Sequence, residues 1–149
     1  MILGSKSDLE VASEATKTLD KLGVTWEQVV SSAHRTPDRT TQIAKEAMGK
    51  GHKVIICMAG YAAHLPGVVA ALTNLPVIGV PLSGSPLNGL DALLAQQMPS
   101  GIPVAAMTIG TAGAINAAVF AARIVALSDE AVRTKLAQYV NDLAAKVLN

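Results

Sequence analysis

Two kinds of segment alternate along the chain. Short apolar runs, such as residues 53–58 and 76–82, are rich in β-branched side chains and are typical of strands buried on both faces. Longer segments between them carry apolar residues at helical spacing, as at Val11, Ala15 and Leu19. Strands that alternate with helices predict right-handed crossovers and a parallel sheet covered on both faces.

Local signals predict where the first two helices begin and end. Ser7 and Glu10 have the spacing of a capping box at the start of the first helix, and Gly23 is a residue type that commonly ends one. Thr36 and Pro37 suit the cap and the first position of the second helix. The sequence between these helices, at residues 24–32, is predicted to be a strand.

The chain has the length of one domain. Its 149 residues, of which 50% are hydrophobic, supply enough material for a single buried core. No repeat or low-complexity linker divides the sequence, and a last amphipathic helix follows Ser128. We therefore expect one α/β domain over residues 1–149.

The charge distribution points away from nucleic acids and membranes. Lys and Arg number 12 against 11 Asp and Glu, so the charge balance does not indicate binding to either of these anionic partners. Between residues 54 and 122 the only charged side chain is Asp91, yet prolines and glycines interrupt every run that approaches the roughly 20 residues of a membrane span. Burial between subunits explains this uncharged stretch better, so we expect a homo-oligomer that binds a small molecule.

The single cysteine and the first residues bear on the compartment. Cys57 has no partner for an intramolecular disulfide and is interpreted as a small buried apolar residue rather than a nucleophile. The N-terminal residues lack the basic stretch and apolar segment of a secretory signal. The expected location is the cytoplasm.

Polar and glycine-rich segments follow each predicted strand. They read "GSKS", "SSAHR", "GYAAH", "SGSPLNG" and "GTAG". In a parallel sheet these segments gather at the carboxyl edge, where ligands of open α/β folds bind. Together they predict one site.

The first two of these segments are suited to a phosphate. Ser5 and Ser7 combine hydroxyl groups with the free N–H groups of a helix start, although such turns also cap helices without any ligand. Arg35 can hold a phosphate through two parallel hydrogen bonds. Asp8 could bind a sugar hydroxyl or act only as a favourable charge in the first helical turn, and both interpretations stay open.

Two histidines arrive at the same edge. His34 and His64 follow neighbouring strands, and an imidazole can give and take a proton near neutral pH. Without clustered Cys, Asp or Glu they make a poor metal site, and no phosphate-binding or dinucleotide-binding glycine motif is present. We expect acid–base chemistry without a metal or cofactor. His52 precedes a strand at the opposite edge and is expected to be solvated.

Several motifs in one order resemble a known family. The segments "GSKSD", "SAHRTP", "AAHLPG", "PVIGVP", "GLDALL", "QMPSGIPVA" and "IGTAGAINAA" resemble the bacterial-type PurE family of 5-(carboxyamino)imidazole ribonucleotide mutases. The resemblance implies a flavodoxin-like three-layer α/β/α sandwich with an additional C-terminal helix. It also implies a homo-octamer whose active sites are completed by neighbouring subunits. The implied reaction moves a carboxylate from the exocyclic nitrogen to ring carbon 4, without ATP, metal or biotin.

The same resemblance implies residue roles. Ser5 and Arg35 would hold the 5′-phosphate with help from Ser32, and His34 would be the general acid and base. Asp8 would bind the ribose. The implied substrate-binding residues are Ser5, Ser7, Asp8, Ser32, Arg35, Ala62, Ala63, His64 and Leu65. Those of the "AAHLPG" segment would retain carbon dioxide near the ring.

Tyr61 stands where the family usually has a glycine. Its side chain could narrow the site or disturb a backbone conformation that glycine tolerates and tyrosine resists. Two alternatives to the mutase therefore stay open. One is a carboxylase that uses free carbon dioxide and aminoimidazole ribonucleotide, and the "AAHLPG" segment argues against it. The other is a nucleotide-binding module without turnover, and Tyr61 is the best argument for it.

Overall fold

Five short strands form one parallel sheet in the computed structural model, which describes residues 1–148. The strands are β1 (Ile2–Leu3), β2 (Val29–Val30), β3 (Ile55–Ala59), β4 (Val77–Pro81) and β5 (Ala105–Ala106). Their order in the sheet is β2-β1-β3-β4-β5, and all neighbouring strands are parallel. This is the strand order of flavodoxin-like doubly wound folds, so the predicted fold class is confirmed.

Helices connect the strands and cover both faces of the sheet. A 3₁₀ turn (Lys6–Asp8) leads into α1 (Leu9–Leu22), and the later helices are α2 (Pro37–Glu46), α3 (Leu65–Ala70), α4 (Leu90–Leu94), α5 (Thr111–Val125) and α6 (Glu130–Leu148). The last of these is the additional C-terminal helix. None of the helices formed by residues 1–148 combines the length and the apolar character that a membrane span requires.

Successive strand residues face opposite layers of the core, as the period of a strand requires. Ile56 and Met58 of β3 pack with α1 and α5 on one face. Ile55 and Cys57 pack with α2, α3 and α4 on the other. The last helix packs on the helices and not on the sheet: Val132 of α6 is buried against the ends of α1 and α5.

The cap of the first helical segment lies earlier than the sequence predicts. The capping box joins Ser5 and Asp8, not Ser7 and Glu10, because Ser5 is the residue with extended backbone ahead of the turn. The end of α1 is as predicted, since Gly23 adopts the left-handed conformation with φ 74°.

The predicted strand over residues 24–32 is much shorter in the structure. Only Val29–Val30 pair with a neighbour, because β2 lies at the edge of the sheet and β1 offers it two residues to pair with. The loop after β2 therefore begins directly at Ser31, close to the carboxyl edge of the sheet.

Candidate active site

A cleft of about 710 Å³ opens at the carboxyl edge of the sheet, where the loops after β1, β2, β3 and β4 meet. Its lining includes every residue that is predicted from the sequence to bind substrate or to act in catalysis. These residues are Ser5, Ser7, Asp8, Ser32, His34, Arg35, Ala62, Ala63, His64 and Leu65. The predicted convergence therefore holds for the segments after β1, β2 and β3 and for Gly84 of the segment after β4, whereas the "GTAG" segment after β5 does not line this cleft.

A larger cavity of about 850 Å³ lies at the opposite edge, beside the start of β4. Its only ionisable lining residue is Lys45, and apolar side chains such as Met48 and Phe120 form much of its wall. Without an acid, a base or a second charge, that cavity offers little chemistry. The smaller cleft is the better candidate site.

A hydroxyl network holds the loop after β2. The Oγ of Ser31, which is buried, lies 2.8 Å from Oγ1 of Thr40 and 3.2 Å from Oγ1 of Thr36. Thr36 Oγ1 also accepts a hydrogen bond from the backbone N of Ser32 at 3.0 Å. These bonds tie the loop to the first turn of α2. Sequence reasoning missed them, although two threonines four residues apart on a helix share a face and could have indicated the contact.

The loop held in this way presents Arg35 to the cleft. Its Nη2 donates to the backbone oxygen of Gly4 at 3.1 Å, and its backbone N donates to Ser32 Oγ at 3.2 Å. The guanidinium thus bridges the loops after β1 and β2 and remains exposed. A guanidinium has further N–H donors in a planar fork, which suits an anionic ligand.

His34 and His64 contact each other across the cleft. Nε2 of His34 lies 3.0 Å from Nδ1 of His64, and the two rings are nearly perpendicular at 81°. A hydrogen bond between two imidazole nitrogens places one proton between them, so that one ring donates and the other accepts. Both rings are exposed to the cleft. The pair can therefore hold a proton next to a ligand.

Asp8 is 9% exposed and accepts two hydrogen bonds. Its Oδ2 accepts from the backbone N of Ser5 at 2.9 Å, and its Oδ1 accepts from Ser7 Oγ at 3.1 Å. Burial raises the pKa of this carboxyl group, against the opposing effects of the Ser7 and Ser5 hydrogen bonds and the charge of Arg35. Asp8 therefore lies in the first turn, as one of its two interpretations predicts, and completes the capping box with Ser5. Its role toward ribose stays a prediction.

Tyr61 has a backbone conformation that glycine would adopt more easily. Its φ is 53°, and within residues 1–148 only Asn88 shares a positive φ among residues other than glycine. The left-handed conformation costs an L-residue roughly 1–2 kcal/mol. The predicted conflict between tyrosine and the backbone is present at this position, and both outliers lie in loops at the carboxyl edge.

Three further sequence expectations concern residues elsewhere. Cys57 is fully buried and its burial raises the pKa of the thiol to about 12, which agrees with an unreactive core residue. The His52 side chain is 34% exposed, with Nε2 3.4 Å from the Glu27 carboxylate, so the ring is solvated in part and also lies beside an acidic partner. Across residues 1–148, no three His, Cys, Asp or Glu side chains are grouped to hold a metal ion.

Fold and cleft together define the class of protein: a flavodoxin-like α/β protein with its candidate site at the carboxyl edge of the sheet. Residues 1–146 match the family model described as AIR carboxylase. The chain therefore belongs to the AIR carboxylase family.

Similar proteins agree with this assignment. The N5-carboxyaminoimidazole ribonucleotide mutase of Brucella melitensis is 51% identical over 140 residues, which cover 93% of this chain and 86% of that protein. The mutase of the same name from Bacillus subtilis is 53% identical over 137 residues, covering 91% and 85%. The crystal structure of Treponema denticola PurE superposes with a TM-score of 0.89 at 28% identity, covering 99% of this chain and 91% of that one.

Proposed function

We propose that this chain catalyses the N5-carboxyaminoimidazole ribonucleotide mutase reaction of purine biosynthesis, as an isomerase. Relatives that carry this name are about half identical over most of their length. The observation that carries the proposal is the contact between His34 and His64. Nε2 of His34 lies 3.0 Å from Nδ1 of His64, in the same cleft as Arg35. The carboxylate of the substrate moves from the exocyclic nitrogen to carbon 4 of the imidazole.

The 5′-phosphate would lie at the junction of the loops after β1 and β2. Ser5, Ser32 and Arg35 face this part of the cleft and offer hydroxyl and guanidinium donors. A hydrogen bond between charged groups is shorter and stronger than a neutral one. Asp8 and Ser7 lie beside them, and the Asp8 carboxylate has lone pairs left for a ribose hydroxyl.

His34 would move the only proton that the reaction needs. The imidazolium protonates the exocyclic nitrogen while the N–C bond breaks, so the bonding pair stays on nitrogen and carbon dioxide is released. Carbon 4 of the ring then forms a bond to that carbon dioxide, and His34 removes the hydrogen from carbon 4. The proton returns to the ring that supplied it. The hydrogen bond to His64 supports this role because it keeps the His34 ring in position between the two steps.

The segment after β3 would retain the carbon dioxide. Ala62, Ala63, His64 and Leu65 line one wall of the cleft, and the loop at residues 83–89 would close over the base. A molecule held beside its partner reacts at an effective concentration far above that of a dilute solute.

Two ribonucleotide substrates separate this function from its alternatives. We expect the purified protein to convert N5-carboxyaminoimidazole ribonucleotide, followed by the ultraviolet absorbance of the product, in bicarbonate-depleted buffer and in the presence of EDTA. Turnover only of aminoimidazole ribonucleotide with carbon dioxide would assign a carboxylase instead. Binding of both ribonucleotides without turnover would assign a non-catalytic module. The names of the similar mutases and the paired imidazoles favour the first outcome.

The proposal includes a homo-octamer whose sites are completed by neighbouring subunits. Its support is the stretch from residue 54 to 122, where Asp91 is the only charged side chain. Large apolar side chains are exposed within this stretch at Val68, Leu87, Leu90, Leu94 and Phe120. Contiguous exposed apolar surface marks an interaction site. Light scattering should report an octamer, and a stable monomer at micromolar concentration would contradict the assembly.

We also propose that residues 1–149 act as one domain and that the protein works in the cytoplasm. The single five-stranded sheet of the described residues supports the first statement. The free thiol of Cys57, the only cysteine of the chain, is compatible with a reducing compartment.

A further inference from the structure

Tyr61 combines a strained backbone with a side chain that the rest of the chain does not hold. Its φ is 53° and its side chain is 64% exposed. Within residues 1–148 its hydroxyl group makes no hydrogen bond, and its ring stacks on no other aromatic ring. Core packing therefore does not explain a tyrosine here. Strained residues that persist without a packing reason concentrate at functional sites.

Tyr61 lies at the candidate active-site cleft. It lines the cleft that contains His34 and His64, and no other described residue of that lining is a Phe, Tyr or Trp. The loop before it touches the loop after β4, since a Cβ atom at Gly60 would lie 3.4 Å from the backbone oxygen of Leu82. Tyr61 thus lies in a loop that borders the loop after β4, with most of its side chain exposed at the cleft.

We propose that Tyr61 covers the imidazole ring of the bound substrate during turnover and thereby limits the escape of carbon dioxide. This inference rests on the mutase function proposed above. A flat aromatic face stacks on a heteroaromatic ring whatever its substituents. It also excludes water from the wall next to His34. The phenol ring, not the hydroxyl group, supplies both effects.

The experiment follows the origin of the carboxyl carbon. The parent, Tyr61→Phe and Tyr61→Asn are given unlabelled N5-carboxyaminoimidazole ribonucleotide in buffer that contains ¹³C-bicarbonate with dissolved carbon dioxide. Mass spectrometry then measures the labelled fraction of the product, corrected for the reaction without enzyme. Asparagine tolerates the left-handed backbone but has no ring. This variant therefore tests the loss of the ring while the backbone conformation is kept. Trp26→Asn, which removes an exposed ring outside the cleft, is the matched control.

We expect Tyr61→Asn to raise the labelled fraction several-fold and to raise KM about 5- to 20-fold, as the loss of one stacking contact predicts. Tyr61→Phe and Trp26→Asn should behave like the parent. A labelled fraction and KM of Tyr61→Asn within about twofold of the parent would overturn the inference while leaving the mutase function intact. A change in oligomeric state on Tyr61→Asn would also overturn it, by assigning the ring to a subunit contact. If the parent does not convert the substrate, the mutase function itself fails.

Discussion

The two loops that carry the histidines of the cleft are held in opposite ways. The loop after β2 is fixed by side-chain hydrogen bonds, with Ser31 buried between the hydroxyl groups of Thr36 and Thr40. The loop after β3 has no such network. Its turn is a backbone feature, with the N–H of Ala63 donating to the oxygen of Tyr61 at 2.9 Å and with Tyr61 in the left-handed region.

This difference suits the two loops to different tasks: one positions side chains for the substrate and the other closes over it. Hydrogen bonds within a buried network restrict the loop after β2, so His34 and Arg35 are presented in a defined geometry. The loop after β3 carries strain and leaves its largest side chain in solvent. Such a loop is easier to displace. One loop is therefore suited to hold the substrate and transfer its proton, and the other to close over it.

The largest expected effect comes from removing the titrating group of the fixed loop. His34→Asn keeps the size and some hydrogen bonding of the side chain but has no nitrogen that can carry the proton. Turnover should fall about 10²- to 10⁴-fold while ribonucleotide affinity is nearly preserved. Steady-state kinetics and calorimetric titration measure the two quantities separately. Near-parental turnover would make His34 a binding residue only.

Removing the guanidinium of the same loop should affect binding more than the reaction. We expect Arg35→Ala to weaken ribonucleotide binding by about 1.5–3 kcal/mol, the range for a hydrogen bond to a charged group. Isothermal titration with the ribonucleotide and with the corresponding nucleoside tests this, since the nucleoside lacks the phosphate and should be insensitive to the change. Unchanged affinity for the ribonucleotide would exclude Arg35 from the site.

The hydroxyl network can be broken without altering the cleft lining. Thr40→Val removes the closer of the two hydroxyl partners of buried Ser31 and should lower the free energy of unfolding by about 1–2 kcal/mol. Thr41→Val makes the same chemical change one position along α2, where no side-chain hydrogen bond is lost, and should stay within about 0.5 kcal/mol of the parent. Urea denaturation compares the two. Equal effects would show that the network does not stabilise the loop.

The strained loop should respond in the opposite direction. Tyr61→Gly removes roughly 1–2 kcal/mol of left-handed strain, which exceeds the entropic cost of glycine of roughly 0.5–1 kcal/mol. A net stabilisation of about 0.5–1 kcal/mol is expected because the exposed ring contributes little burial. Asn88→Gly, at the other positive φ of 51°, should change stability less since asparagine tolerates this region. A loss of stability on Tyr61→Gly would contradict the strain argument.

The smallest expected effect is a pH dependence of the stability, caused by Asp8 in the loop after β1. Burial raises the pKa of Asp8 in the folded chain, so ionisation is harder there than in the unfolded chain. Its contribution to stability is greatest below the ordinary pKa and is lost as the pH rises through the raised one. Asp8→Asn cannot ionise. The stability of the parent relative to this variant should therefore decrease as the pH rises above about 4, the ordinary pKa of an aspartate, and become constant once the pH exceeds the raised pKa, as measured by denaturation over a pH series. A constant difference would mean that the pKa is not raised.

The sequence by itself determined the fold class and the edge of the sheet at which the cleft lies. Alternating strands and helices define a doubly wound sheet, and each segment that follows a strand must then reach the same edge. Ser5, Arg35 and His64 could be assigned to one site on this ground, without any distance. These features depend on local periodicity and on chain direction, which a sequence displays directly.

Only the tertiary structure decided which of these residues touch. His34 and His64 are 30 positions apart, in the loops after β2 and β3. These two strands are not adjacent but flank β1 in the sheet, so the 3.0 Å contact joins loops from the two sides of β1. The cap at Ser5 and Asp8, the burial of Ser31 and the positive φ of Tyr61 likewise depend on backbone geometry around each loop. Several turns satisfy the same local pattern, and packing against neighbouring loops selects one of them.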